Sequence, residues 1–167
     1  MIFYGSNEMK IKWSRRAGVK IGSGCSLVGR VEWGSEPYLI EIGDNVRITD
    51  GVAFVTHDGG IHVLRRNWNG HTVLPVADVF GRIKVGNNVF VGIRTIIMPG
   101  VTIGDNAIIG AGSIVTKDVP SNTVVCGVPA KTVRTLEEYA EKIKHRAVPT
   151  KGMNEEEKRE YLSNRLQ

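Results

Sequence analysis

The chain has 167 residues, 41% of them apolar, and a formal net charge of +5 from 22 Lys and Arg against 17 Asp and Glu. Its 21 valines and 16 isoleucines against 7 leucines favour pleated structure over helix, which excludes a helical bundle or a coiled coil. The apolar fraction excludes a disordered chain, and six prolines without a Gly-X-Y period exclude collagen.

The amino terminus, MIFYGSNEMKIKW, lacks the basic-then-apolar order of a secretory leader, and no apolar run reaches the roughly 18 residues of a membrane span. Two cysteines, Cys25 and Cys126, supply neither a disulfide framework nor a metal-ligand spacing, so a reducing cytoplasm is the expected compartment. Positive charge is spread along the chain without the stripe that would point to nucleic acid. It suits a small anionic ligand rich in phosphate.

Internal repetition begins with a weak pair, Ile21 and Leu27, and strengthens at Ile42, Ile48 and Phe54. From Val85 it is unbroken: Val85, Val91, Ile97, Ile103, Ile109 and Val115 recur every six residues. Four positions after each stands a small or β-branched residue: Val89, Thr95, Val101, Ala107, Ser113 and Val119. A period of six is neither helix nor long strand. It reads as a short strand and a tight turn, and three such units close a triangular coil of 18 residues that stacks as a parallel β-helix. Both aliphatic series then point inward, and coils lie about 4.8 Å apart. The third offset carries Gly24, Asn45, Gly51, Asn88, Gly100, Asn106 and Gly112, residues that tolerate a left-handed turn. On the outside, the coil length stacks Phe90 under Ile108 and Ile96 under Ile114, while the third face, with Thr102 and Pro120, is not apolar. Apolar outer ladders mark contact surfaces; a homotrimer would cover them, and the alternative is that the C-terminal segment covers one of them.

Two segments break the rhythm. Residues 33–41 displace the register by three, and residues 60–84 form an excursion before Val85 restores the frame. A long loop leaving a rigid scaffold often carries function. After Lys131 the repeat ends. TLEEYAEKIKHRA reads as a helix with Thr135 as N-cap and Glu138 three residues on. Pro149 and Gly152 stop it, and NEEEKREYLSNRLQ reads as a second, polar helix; the two are expected to cap or dock on the open end of the prism. The expected organisation is a β-helix over residues 1–134 and a helical extension over 135–167.

The run VGNNVFVGIRTIIMPGVTIGDNAIIGAGSIVTKDVPSNTVVCGVPAKTVR, residues 85–134, resembles the C-terminal half of hexapeptide-repeat acyltransferases, and residues 40–59 resemble them more loosely. The string FVTHDGG followed by the basic loop VLRRNW is similar to members that acetylate sugars and polysaccharides. The resemblance implies an all-β, left-handed parallel β-helix, usually trimeric, that uses acetyl-CoA as acyl donor. The left hand comes from the resemblance and not from the period.

The same resemblance assigns His57 as the catalytic base. Acyl transfer to a hydroxyl needs a group that takes a proton near neutral pH, which imidazole does. His57 also falls at the third offset, where a left-handed backbone would strain a non-glycine residue. Asp58 is its adjacent candidate acid, with Asp50 and Asp78 as others. Positions matching Ala111, Thr116, Lys117, Lys131 and Arg134 are implied to contact CoA, with Phe90 as an apolar wall where the family usually has tryptophan, and Gly92, Ala111 and Gly112 are the small residues that a pantetheine groove needs. Gly92 is the candidate oxyanion donor. Arg65, Arg66 and Trp68 are expected to clamp the sugar, because indole stacks on sugar C–H faces and guanidinium pairs with anions and hydroxyls. An N-acetyltransferase of an amino sugar or antibiotic would use the same scaffold. A further alternative places zinc on His57, His62 and His71, as in the gamma-class carbonic anhydrases of this fold. His145 lies in the C-terminal helix. A single outward threonine, Thr102, argues against an ice-binding ladder.

Overall fold

A computed structural model describes residues 5–66 and 70–165. Helix α1 (Asn7–Arg16) is followed by β1 (Lys20–Ile21), β2 (Ser26–Leu27), β3 (Val31–Glu32), β4 (Ile40–Ile42), β5 (Arg47–Ile48) and β6 (Val52–Phe54). The excursion holds one helical turn, α2 (Ile61–Leu64). The rhythm resumes with β7 (Ile83–Val85), β8 (Phe90–Val91), β9 (Ile96–Ile97), β10 (Thr102–Ile103), β11 (Ile108–Ile109) and β12 (Ile114–Val115), and β13 (Thr123–Gly127) and β14 (Ala130–Thr135) close it. Helices α3 (Leu136–Lys144) and α4 (Glu155–Arg165) follow.

The strands sort into three parallel faces. The first is β1-β4-β7-β10, the second β2-β5-β8-β11-β13 with β14 added antiparallel, and the third β3-β6-β9-β12. The inward series meet in the prism: Val91, Ile97 and Ile109 are fully buried, as are the fourth-offset Thr95, Ala107 and Ser113. Each buried aliphatic contributes about 1.5–3 kcal/mol by leaving water. The two hydroxyls of this inward series, Thr95 and Ser113, both donate to the Gly110 carbonyl, at 3.2 and 2.6 Å, so neither is left unsatisfied. Outside, Phe90 pairs with Ile108 and Ile96 with Ile114, as the coil length predicts.

Corner geometry follows the glycine and asparagine pattern. Asn45, Asn88 and Asn106 have φ of 56°, 54° and 55°. Asn88 Nδ2 donates to Asn106 Oδ1 at 2.8 Å and Asn106 Nδ2 to Asn122 Oδ1 at 3.0 Å, a ladder of amides up one edge. Arg94, at the third offset of the same frame, shares the left-handed conformation (φ 57°) although it is neither Gly nor Asn.

Three features differ from expectation. First, α1 was not anticipated, although Ser6 caps it by accepting from Met9 N and Arg15 and Arg16 occupy its last turn. It covers the first coil: Asn7 bonds the Cys25 carbonyl and the Leu27 amide, Lys10 the Leu27 carbonyl, and Arg15 the Ile21 and Gly22 carbonyls. Second, the last coil is two residues short. Val119 bridges Ile103, and Asp118 Oδ1 accepts from Thr102 N at 2.7 Å, so Asp118 and not Pro120 lies beside Thr102. Third, α3 packs on β13 and β14 on one face, and neither α3 nor α4 has a fully buried residue. The capping box at Thr135 and Glu138 is formed in both directions.

Candidate active site

Residues 33–41 and the excursion both leave the prism at the edge between the third and first faces. After β6 the chain continues as Val55, Thr56 and His57. The Thr56 carbonyl accepts from Gly81 N at 2.9 Å, Asp58 N donates to the Val79 carbonyl at 2.9 Å, and His57 bridges Phe80. These contacts form a neck that closes the loop without disturbing the stack, since Glu41 still pairs with Lys84 and Arg47 with Phe90. His57 is not among the residues with positive φ. The expected strain is absent because the chain has already left the coil.

On the coil below, Gly34 adopts φ +69° and turns the backbone towards the short 3-10 turn Pro37–Leu39. Glu36 stands at the start of that turn. Its Oε2 accepts from Thr56 Oγ1 at 2.5 Å and lies 3.0 Å from His57 Nδ1. The Thr56 hydroxyl first, and His57 second, hold the Glu36 carboxyl below its ordinary value. An ionised carboxylate only accepts, so Nδ1 carries a proton, and in the neutral form of the ring Nε2 keeps its lone pair. The side chain of His57 is 43% exposed, and its ring meets Phe80 edge-on, with centroids 6.2 Å apart.

The carboxylate in contact with His57 is therefore Glu36 and not the adjacent Asp58. Asp58 Oδ1 accepts from Gly60 N at 2.8 Å and shapes the first turn of the loop. The other two candidates are engaged as well: Asp50 accepts from Arg30 N at 2.6 Å, and Asp78 is ion-paired with Arg65.

The remaining predicted residues fall in several places. Arg65 also donates to the Ala77 carbonyl at 3.0 Å; with Asp78 on its other side, it braces the loop instead of facing outward as a clamp. Arg66 is exposed, and Trp68 lies outside the described residues. Phe90, Ile108, Val124, Tyr139 and Arg134 line a cavity of about 680 Å³ between the second face and α3. Lys131 is exposed on β14, opposite Cys126. Gly92 and Ala111 stack at the edge between the second and third faces. A Cβ on Gly92 would lie 2.5 Å from Ala111 N, so this glycine serves coil stacking. Its N–H already donates to the Ile109 carbonyl at 2.9 Å and is not the oxyanion donor expected. Thr116 and Lys117 are exposed just after β12, on the edge that carries His57. Among the described residues, His57, His62 and His71 do not gather into a metal-binding group. A separate cavity of about 530 Å³, lined by Trp13, Trp33, Arg30 and Gly34 among others, opens beside the segment that carries Glu36.

A stacked coil of six-residue repeats defines a class of fold, and comparison with known proteins agrees. Residues 82–117 match the family described as bacterial transferase hexapeptide (six repeats). Protein CapG of Staphylococcus aureus is 50% identical over 154 residues, covering 91% of this chain and 86% of its own. Galactoside O-acetyltransferase of Escherichia coli K12 is 45% identical over 102 residues, covering 60% of this chain and 46% of its own, so this chain spans just under half of that relative. A solved galactoside acetyltransferase in complex with coenzyme A superposes with a TM-score of 0.57 at 26% identity, over 83% of this chain and 76% of that one. The chain belongs to the hexapeptide-repeat transferase family, acyltransferases built on the left-handed parallel β-helix. Among the described residues no helix is long and apolar enough to cross a membrane.

Proposed function

We propose that this chain transfers an acetyl group from acetyl-CoA to a hydroxyl of a sugar or polysaccharide, with His57 as general base and Glu36 as its orienting acid. The observation that carries the reading is the Nδ1 contact to Glu36 at 3.0 Å, which leaves Nε2 available. Nε2 takes the hydroxyl proton as the acceptor oxygen attacks the thioester carbonyl. The tetrahedral intermediate then collapses, the C–S bond breaks, and CoA thiolate leaves with the proton from the imidazolium. No cysteine is needed as nucleophile: Cys25 is buried in the core, and Cys126 sits on the closing hairpin.

Relatives support the donor and the acceptor class, since one is a galactoside O-acetyltransferase and one solved galactoside enzyme holds coenzyme A. Phe90, Gly92, Ala111, Thr116, Lys117, Lys131 and Arg134 are the proposed CoA contacts. Within one chain they occupy a face and two edges, so the proposal includes a homotrimer in which the edge of one subunit with His57 and Lys117 meets the edge of the next with Gly92 and Ala111. The cavity beside Gly34 is the proposed acceptor berth, because it opens next to the segment that carries Glu36 and its volume suits a small ligand.

A screen of sugars, amino sugars and nucleotide sugars with acetyl-CoA, reading released thiol, tests the acceptor class; turnover confined to amines would replace O- by N-transfer. His57→Ala is expected to lower the rate about 10²–10⁴-fold while calorimetry still detects CoA binding. Full transfer activity in that variant would refute the base assignment. The double variant Lys131→Ala, Arg134→Ala is expected to weaken CoA binding instead.

A further inference from the structure

Two donors converge on a single oxygen of Glu36: the Thr56 hydroxyl at 2.5 Å and the His57 ring at 3.0 Å. Thr56 is completely buried, whereas the side chains of Glu36 and His57 are 16% and 43% exposed. We propose that Thr56 is a positioning residue whose hydroxyl pins the Glu36 carboxylate against His57 and so fixes the imidazole with its proton on Nδ1 and its lone pair on Nε2. The catalytic meaning of this coupling rests on His57 as base; the coupling itself does not.

Local construction supports the assignment. The Thr56 backbone is clamped from two sides. Val55 N, just before it, donates to the Ile97 carbonyl, and Gly81 N donates to the Thr56 carbonyl, both at 2.9 Å. That clamp aims the hydroxyl at the coil below. On that coil, Gly34 leaves room for it: a Cβ there would lie 3.0 Å from Thr56 Oγ1 and 2.8 Å from the Phe54 carbonyl. The carboxylate is thus met by a donor whose position is set by the β-helix itself, while its other partner is a half-exposed ring. Without the hydroxyl, Glu36 would lose one of the two donors that hold its carboxylate beside Nδ1, and burial would raise its pKa with less opposition. A neutral imidazole released from such a partner prefers the proton on Nε2, where it would block proton abstraction.

Nitrogen-15 NMR of histidine-labelled protein reads the tautomer directly, with His57→Ala used to assign the signals. The parent protein is expected to show a protonated Nδ1 and an unprotonated Nε2 for His57 near neutral pH. Thr56→Val is expected to shift both nitrogens towards a mixed tautomer and to lower kcat roughly ten-fold or more, the loss of one hydrogen bond to a charged group, with the KM for acetyl-CoA unchanged. Thr56→Ser should restore both readouts. Should Thr56→Val fail to fold, Thr56→Ala, which removes the same hydroxyl without a branched side chain, must give the same loss of the Nδ1–H tautomer. Parent-like nitrogen shifts in the valine variant, or failure of serine to restore them, overturn the proposal. If the shifts respond as stated while His57→Ala still transfers acetyl groups, the coupling stands and the base assignment fails.

Discussion

At the scale of the residue, one carboxylate decides how His57 presents itself, and that carboxylate has a pH signature of its own. Glu36 is held below the ordinary value of 4.5 by Thr56 and then His57. A carboxyl depressed in the folded state stabilises the fold above its unfolded pKa, and that contribution is lost as pH falls through the folded value. The melting temperature of the parent is therefore expected to exceed that of Glu36→Gln at pH 5 and above, and the gap to close below 4.5; a gap independent of pH would contradict the ionised state of Glu36. His57 itself was legible in the sequence because it follows β6 where the rhythm breaks. Glu36 was legible only in retrospect. Residues 33–41 lengthen that coil by three, so Val31 pairs with Val52 and Glu32 with Ala53. Carried forward, the same offset places Glu36 beside His57. Adjacency in sequence pointed to Asp58 instead, and adjacency carries no such geometry, because neighbouring residues in an extended segment point apart.

At the scale of the element, the six-residue period specified which side chains enter the prism but not how the coils end. The buried faces follow it from Val85 to Val115 without exception. It failed after Val115, where Asp118 and Val119 shift the stack by two to meet Thr102 and Ile103; no hydropathy pattern encodes a shortened corner. The tight contact between coils has a measurable consequence. Gly92→Ala would place a methyl 2.5 Å from the Ala111 amide nitrogen, overpacking expected to cost about 1–3 kcal/mol in a denaturant titration, with Gly112→Ala a poor control because its φ is +68°. At the C-terminal end, Thr135→Ala removes the cap of α3 and is expected to cost about 0.5–2 kcal/mol, read as loss of helical circular dichroism in advance of global melting. The basic loop was read from the sequence as a sugar clamp because arginine type alone does not reveal its partner. Arg65 is committed to Asp78 and the Ala77 carbonyl, a role that becomes visible only when both ends of the loop are in place.

At the scale of the whole molecule, apolar side chains remain on the outside where a single chain does not cover them. Val63, Val76 and Phe80 on the excursion are 59%, 92% and 53% exposed, and Phe90 on the second face is 40% exposed. Sedimentation equilibrium is expected to give three times the chain mass, and charge substitutions at Val76 and Phe80 are expected to dissociate that assembly; a monomer in dilute solution would remove the shared site from the proposed mechanism. A β-helix carries a different hazard at its beginning, where a parallel strand stack has no natural stop. In this chain the side chains of Asn7, Lys10 and Arg15 occupy the backbone groups of the first coil. The helix therefore acts as a terminator for a structure that could otherwise keep adding rungs. Shorn of it, the prism would offer bare strand edges to the next molecule, and the failure to expect is growth into fibres along the prism axis, with each coil still intact.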